Sequence, residues 1–271
     1  MSNVLDDIIA GVRSDLAERQ QQTSLADLET RIHTRRAALP VLPALGALGL
    51  GVIAEVKRSS PSKGALAEIT VPAELAGAYQ AGGATAISVL TEKHRFNGSL
   101  ADLDAVRKQV EIPVLRKDFI VADYQVLEAR AHGADLVLLI VAALDDAELA
   151  RLHTLVKDLG MTPLVEVHTA DEARRAADLG AELVGVNNRN LKTLEVDLAQ
   201  FGRLVDLIPD TALKVAESGV FTPQDAALVH GQGADAILCG EALVRHGDPA
   251  GAIAAMIAAC TTDDSQGSRN L

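Results

Sequence analysis

Five short stretches place groups that move protons or hold anions at the ends of apolar runs. In GVIAEVK (51–57), Glu55 and Lys57 stand two residues apart. IPVLRKD (112–118) ends in Lys117 and Asp118, and PLVEVH (163–168) in Glu166 and His168. GVNNRNL (185–191) carries Asn187 and Arg189, and LKVAES (213–218) ends in Glu217 and Ser218. An ammonium can deliver a proton to an oxygen, and a carboxylate can accept one. Asn can orient a hydroxyl, and Arg can fork onto a carboxylate. Three further stretches suit a phosphate: Ser60 beside cations in RSSPSKG (58–64), Gly219 in ESGV (217–220), and Gly240 opening CGEALVR (239–245). Free amides at a helix start make an anion site.

Each signal has a plainer reading. One charge at a strand end is usually solvated, and Glu55 with Lys57 can simply neutralise each other. Asn clusters and single glycines build turns. His94 and His168, as lone histidines beside loops, are assigned no role.

The elements that must position these residues show as a repeat. GGATAISVL (82–90), HGADLVLLIV (132–141), LGAELVGVN (179–187) and QGADAILCG (232–240) share a Gly-Ala pair followed by an apolar run. The pairs begin at Gly83, Gly133, Gly180 and Gly233, at intervals of 50, 47 and 53 residues. Four other apolar runs lie between them, at 51–57, 112–118, 163–168 and 213–218. Helical patterns such as DDAELARLHTLVKDLG (145–160) and TADEARRAADLG (169–180) separate the runs. Unbroken apolar strands alternating with helices predict a parallel sheet buried on both faces. Eight βα units in about 220 residues suit an α/β fold of the (β/α)8 (TIM) barrel type, with an open doubly wound sheet as the alternative.

Strands 2, 4 and 8 are nearly free of charge after their first residue, whereas all four odd strands end in charge. In a barrel, alternate strands feed each interior layer, and catalytic residues sit at the C-terminal ends. Residues two apart share a face, so Glu55 and Lys57 point inward together. Residues 1–48 read as a helical extension, with a stripe of Val4, Leu5, Ile8, Ile9, Val12 and Leu16, ending at Pro40 and Pro43. The barrel is expected over 49–260, and TTDDSQGSRNL (261–271) reads as a polar tail.

Composition narrows the function. The 271 residues are 48% apolar but 2% aromatic, with no Trp, so the core must be aliphatic. A net charge of −12 argues against nucleic acid or an anionic membrane as the partner. Cys239 and Cys260 lack metal spacing and disulfide patterning, which suits a reducing cytoplasm. The acidic start MSNVLDDIIAG does not fit a signal peptide, and the apolar run 136–144 is too short for a bilayer. No metal or cofactor is expected.

Together EVKRSSPSKG (55–64), LTEKHRFNGSL (90–100), LRKDFIV (115–121), LVEVH (164–168), NNRNLKTLEVD (187–197), AESGV (216–220) and CGEALVR (239–245) closely resemble the indole-3-glycerol phosphate synthase family of tryptophan biosynthesis. The resemblance runs from about Leu5 to Asp248. It implies ring closure of an anthranilate-derived ribulose phosphate, with loss of CO2 and water. It implies Lys117 as general acid at the ketone and Glu166 as acid/base in dehydration. Lys57 would meet the substrate carboxylate, with Glu55 orienting it. Asn187 and Arg189 would hold the carboxylate, ring amine or hydroxyls, and Glu217 and Ser218 would close the site. Ser60, Gly219, Gly240 and the amide of Glu241 would take the phosphate, the Glu241 side chain turning away. Phe96, Phe119, Leu138 and Leu191 would wall the aromatic ring, although Leu138 suits the core nearly as well. The loop from Arg58 to Gly64 could fold over the substrate. The rivals are a Schiff-base aldolase working through Lys117 and an idle sugar-phosphate binder. The expected partner is the small-molecule substrate, with association with other tryptophan-pathway enzymes also open.

Overall fold

The computed structural model describes residues 4–47, 49–60, 64–65, 69, 71–190, 193–245 and 247–261, with the side chains of 60, 64 and 65 left out. Eight parallel strands close into a barrel: β1 (Gly51–Val56), β2 (Ala86–Leu90), β3 (Val114–Lys117), β4 (Leu136–Ile140), β5 (Thr162–Val167), β6 (Leu183–Asn187), β7 (Leu213–Glu217) and β8 (Ala236–Cys239). Each pairs with its sequence neighbours, and β1 closes the ring on β8 with Gly51 opposite Ala236. Barrel closure removes every sheet edge, which satisfies the ladder hydrogen bonds of buried strands. Strands β1, β2, β4, β6 and β8 are buried along their whole length, as continuous apolar runs require.

Helices α4 (Pro72–Ala81), α5 (Leu100–Gln109), α6 (Asp123–Ala131), α7 (Asp146–Asp158), α8 (Ala170–Leu179), α9 (Ala199–Leu204) and α10 (Pro223–Gly231) return the chain between strands. After β8 come a short α11 (Glu241–Val244) and α12 (Pro249–Ala258). The starts are encoded locally: Asp145 and Thr222 form capping boxes with Glu148 and Asp225, and Thr169 accepts from the amide of Glu172. The Gly-Ala repeat now has its cause. Gly83, Gly133, Gly180 and Gly233 all have positive φ, turning the chain from a helix end into an even strand.

Ahead of the barrel lie α1 (Val4–Gln22), α2 (Leu25–Thr34) and α3 (Leu42–Leu45). Leu5, Ile8, Val12 and Leu16 are the buried side of α1. Leu16 and Leu28 pack with Tyr124 and Ala131 of α6. Tyr124 also donates its hydroxyl to Thr23 O at 2.9 Å, and Arg19 donates to Glu128 of α6 at 2.8 Å. Glu128 in turn meets Arg116 at 2.9 Å, a fully buried side chain on β3. The extension is thus tied to the outer face of the strand that carries Lys117. The predicted tail beyond Thr261 lies outside the described residues.

Candidate active site

Four odd strands bring one charged side chain each to the top of the barrel. Lys117 of β3 stands 3.4 Å from Glu166 Oε2 of β5 and 3.8 Å from Glu217 Oε2 of β7. Glu55 of β1 ion-pairs with Lys57 just beyond the same strand. All three carboxylates are buried. Glu217 has room because Gly185 on β6 has no side chain, and a Cβ there would stand 2.0 Å from Glu217 Oε1.

The charges set one another's protonation. Burial opposes charge on Lys117, but Glu166, Glu217 and Glu55 outweigh it and hold the ammonium well above its ordinary pKa. Glu166 is likewise desolvated, yet Lys117 and His168 hold it well below the usual carboxylate range. Glu217 goes the other way: burial and the Glu166 charge push it well up. Glu55 is desolvated too, but Lys57 and Lys117 hold it down. The site therefore presents an ammonium held charged, two carboxyls, Glu166 and Glu55, held down, and a third, Glu217, pushed up.

A cavity with about 1090 Å³ of empty space, counted out through its open mouth, lies above this cluster. Its walls include Glu55, Lys57, Lys117, Glu166, Asn187, Arg189, Glu217 and Ser218. Phe96 and Phe119 line it with ring centroids 6.2 Å apart, and Leu138 lines it while 1% exposed. Gly219, Gly240 and Glu241 form another part of the wall. At Gly240 a Cβ would stand 2.8 Å from Glu55 O, so only glycine lets the β8 loop lie against β1. The carboxylate of Glu241 engages Arg245, whose guanidinium lies 4.7 Å from the Phe221 ring centroid. Among the described residues no helix is long and apolar enough to cross a membrane.

Local bonding divides the asparagine cluster. Asn188 Nδ2 donates to Ser218 O and Asn188 Oδ1 accepts from the amide of Phe201, so this residue builds the turn. Asn187 Oδ1 accepts from the amide of Arg189, while the Arg189 guanidinium donates to Leu194 O. Leu191 lies outside the described residues, and Leu194 of the same loop lines the cavity. The side chain of Ser60 is likewise outside them. Its backbone forms half of a small hairpin, Ser59–Ser60 against Gly64–Ala65, within the segment expected as a polar loop. Arg58 holds the base of that hairpin through Asp102 of α5.

Two expectations change. From sequence, Asp118 beside Lys117 is expected to join Glu55 and Glu166 around the ammonium, but its carboxylate instead takes Arg116 at 3.0 Å, Thr91 at 2.6 Å and the amide of Phe119 at 2.8 Å. Adjacent strand residues face opposite ways, so the third acid is Glu217. His168, given no role from sequence, has a side chain 7% exposed and stands 3.3 Å from Glu166 Oε1. Its place two residues after Glu166 was the signal available. His94, by contrast, pairs with Asp15 of α1 at 3.0 Å while half exposed.

A family model described as indole-3-glycerol phosphate synthase matches residues 5–256. The indole-3-glycerol phosphate synthase of a Nocardioides species is 62% identical over 254 residues, covering 94% of this chain and 98% of its own length. That of Mycolicibacterium gilvum is 58% identical over 260 residues, covering 96% of each. Indole-3-glycerol phosphate synthase 1 of Streptomyces coelicolor is 59% identical over 257 residues, covering 95% of this chain and 96% of its own length. Among solved structures, 3-hexulose-6-phosphate synthase overlays with a TM-score of 0.60 at 21% identity, covering 79% of this chain and all of its own, a likeness of fold alone.

Proposed function

The chain belongs to the indole-3-glycerol phosphate synthase family, and we propose that Lys117 and Glu166 carry the proton transfers of the family's reaction. That reaction converts 1-(2-carboxyphenylamino)-1-deoxyribulose 5-phosphate to indole-3-glycerol phosphate with loss of CO2 and water. It makes the chain a lyase of tryptophan biosynthesis. The ring carbon bearing the carboxylate attacks the ketone, and Lys117 delivers a proton to the ketone oxygen. Loss of CO2 then restores the aromatic ring. Dehydration needs a hydroxyl protonated and a neighbouring proton removed, and Glu166 takes the acid/base part. Donation by Lys117 removes the charge that holds Glu166 low, so Glu166 becomes a stronger base at the step that needs one.

Lys57, oriented by Glu55, meets the substrate carboxylate and assists proton transfer. Asn187 and Arg189 hold the carboxylate, ring amine or hydroxyls. Ser60, Gly219, Gly240 and the amide of Glu241 take the phosphate, while Phe96, Phe119, Leu138 and Leu191 wall the ring. Glu217 and Ser218 close the site. No cofactor or metal takes part. We place the enzyme in the cytoplasm, where Cys239 and Cys260 stay reduced, and leave a docking role for other tryptophan-pathway enzymes. Residues 1–48 serve as an extension braced on a barrel of 49–260, with 261–271 as a tail.

The observation that carries this reading is the ammonium of Lys117 held between Glu166 and Glu217 in a cavity that also reaches the glycine loops. The same observation disfavours an aldolase, because a nucleophilic lysine needs its pKa lowered rather than raised. Borohydride added during turnover decides between them. No mass should be added to the Lys117 peptide, and an adduct there would move the enzyme to imine chemistry.

A further inference from the structure

We propose that His168, backed by Glu172, is a positioning residue for Glu166: it holds Oε1 so that Oε2 stays aimed at Lys117 and the substrate. This rests on the assignment of Glu166 as the acid/base.

The geometry assigns the two oxygens of Glu166 different partners. Oε2 stands 3.4 Å from Lys117 Nζ, and Oε1 stands 3.3 Å from His168 Nε2. Nε2 is buried and makes no hydrogen bond among the described residues, so the charge it faces at ion-pair distance is that of Glu166 Oε1. On the far side of the ring, Nδ1 stands 3.3 Å from Glu172 Oε2. Glu172 is fixed in its turn. It accepts from the His168 amide at 2.7 Å and from Thr169 Oγ1 at 3.1 Å, in the first turn of α8. The His168 carbonyl accepts from Gln200 Nε2 at 2.9 Å, and the same amide group reaches Asn187 O at 3.1 Å. Both backbone and ring of His168 are therefore held from outside the barrel, while His168 itself does not line the cavity.

An imidazole with a carboxylate at each nitrogen can satisfy both only as the imidazolium, since the neutral ring has one donor. Burial works against that charge, but Glu166 and Glu172 raise the ring's pKa to about 9. The groups facing Glu166 are thus Lys117 on β3, Glu217 on β7, Glu55 on β1 and His168 after β5. Two cations bracket it, and they do different work. Lys117 exchanges its proton with the substrate. His168 keeps its proton throughout, so one of the cations around Glu166 survives the moment when Lys117 becomes neutral.

The test compares wild-type enzyme with His168→Ala, His168→Gln, Glu172→Gln and Glu166→Gln. Turnover is followed by indole fluorescence, and kcat and KM are measured against pH. His168→Ala should lower kcat roughly 10–100-fold, the effect of a small misplacement of the reacting carboxylate, with KM changed by less than about threefold. Losing the imidazolium raises the pKa of Glu166, so the acidic limb of kcat should move to higher pH. His168→Gln keeps an N–H and should recover part of kcat, yet the limb should stay displaced because the charge is gone. Glu172→Gln should move the limb the same way, by less. A merely structural histidine would lower the melting temperature without moving the limb. Unchanged kcat and limb in His168→Gln and Glu172→Gln would overturn the proposal even if His168→Ala failed to fold. Failure of the underlying reading looks different: Glu166→Gln would then keep its turnover, whatever the His168 variants do.

Discussion

Lys117 shows how a buried side chain can be kept charged by its surroundings. Glu166 above all, with Glu217 and Glu55, keeps the buried ammonium charged, and replacing it with an apolar side chain of similar length removes the proton that the proposed mechanism uses. Lys117→Met should bind the substrate yet turn it over about 10²–10⁴-fold more slowly, measured as indole emission from a chain that has no Trp of its own. His168 carries a second prediction at this scale. Its folded pKa is raised from 6.5 to about 9, so the stability it contributes is complete below about pH 6.5 and is lost as pH rises through 9. The melting-temperature gap between wild type and His168→Gln should be widest near pH 6 and shrink by about pH 10. The charged cluster at the cavity was readable from sequence where a charge interrupted an apolar strand, as at Glu55, Lys117, Glu166 and Glu217. His168 escaped because its meaning depends on Glu172, and a side chain in a helix's first turn looks like an ordinary cap until the ring lies against it.

At the scale of elements, the strands place acids by what their neighbours omit. Gly185 is an unremarked residue in an apolar run, yet its missing side chain is the space that Glu217 occupies. Gly185→Ala should push that carboxylate away from Lys117 and lower kcat by about 10²-fold, the cost of a shift near 1 Å, while circular dichroism stays unchanged. Recovery of full kcat in that variant would show that Glu217 need not sit where it does. The eight-fold alternation was legible because each even strand follows a Gly-Ala turn and each odd strand ends in charge. The hairpin at Ser59–Ser60 and Gly64–Ala65 was not, since two-residue strands carry no periodicity. Its anchor, Arg58 on Asp102, joins residues 44 apart in sequence, beyond any local pattern.

At the scale of the whole molecule, Lys57, Lys117 and Arg189 all line the cavity, and the proposed mechanism draws its positive charge from them. Activity should therefore survive exhaustive treatment with EDTA, and loss restored by a divalent ion would contradict the mechanism. The brace of α1 on α6 spans long separations, 109 residues from Arg19 to Glu128 and 101 from Thr23 to Tyr124. The barrel seam is longer still, since Gly51 of β1 meets Ala236 of β8. These separations impose an order on synthesis. The first helix leaves the ribosome long before its α6 partners Tyr124 and Glu128 exist, and the second neighbour of β1 is the last barrel strand to be made. Because the cavity draws Glu55 from the first strand and Gly240 from just after the last, a nascent chain acquires no partial activity on the way. A message cut short before β8 yields an open sheet for chaperones and proteases, never a slower enzyme.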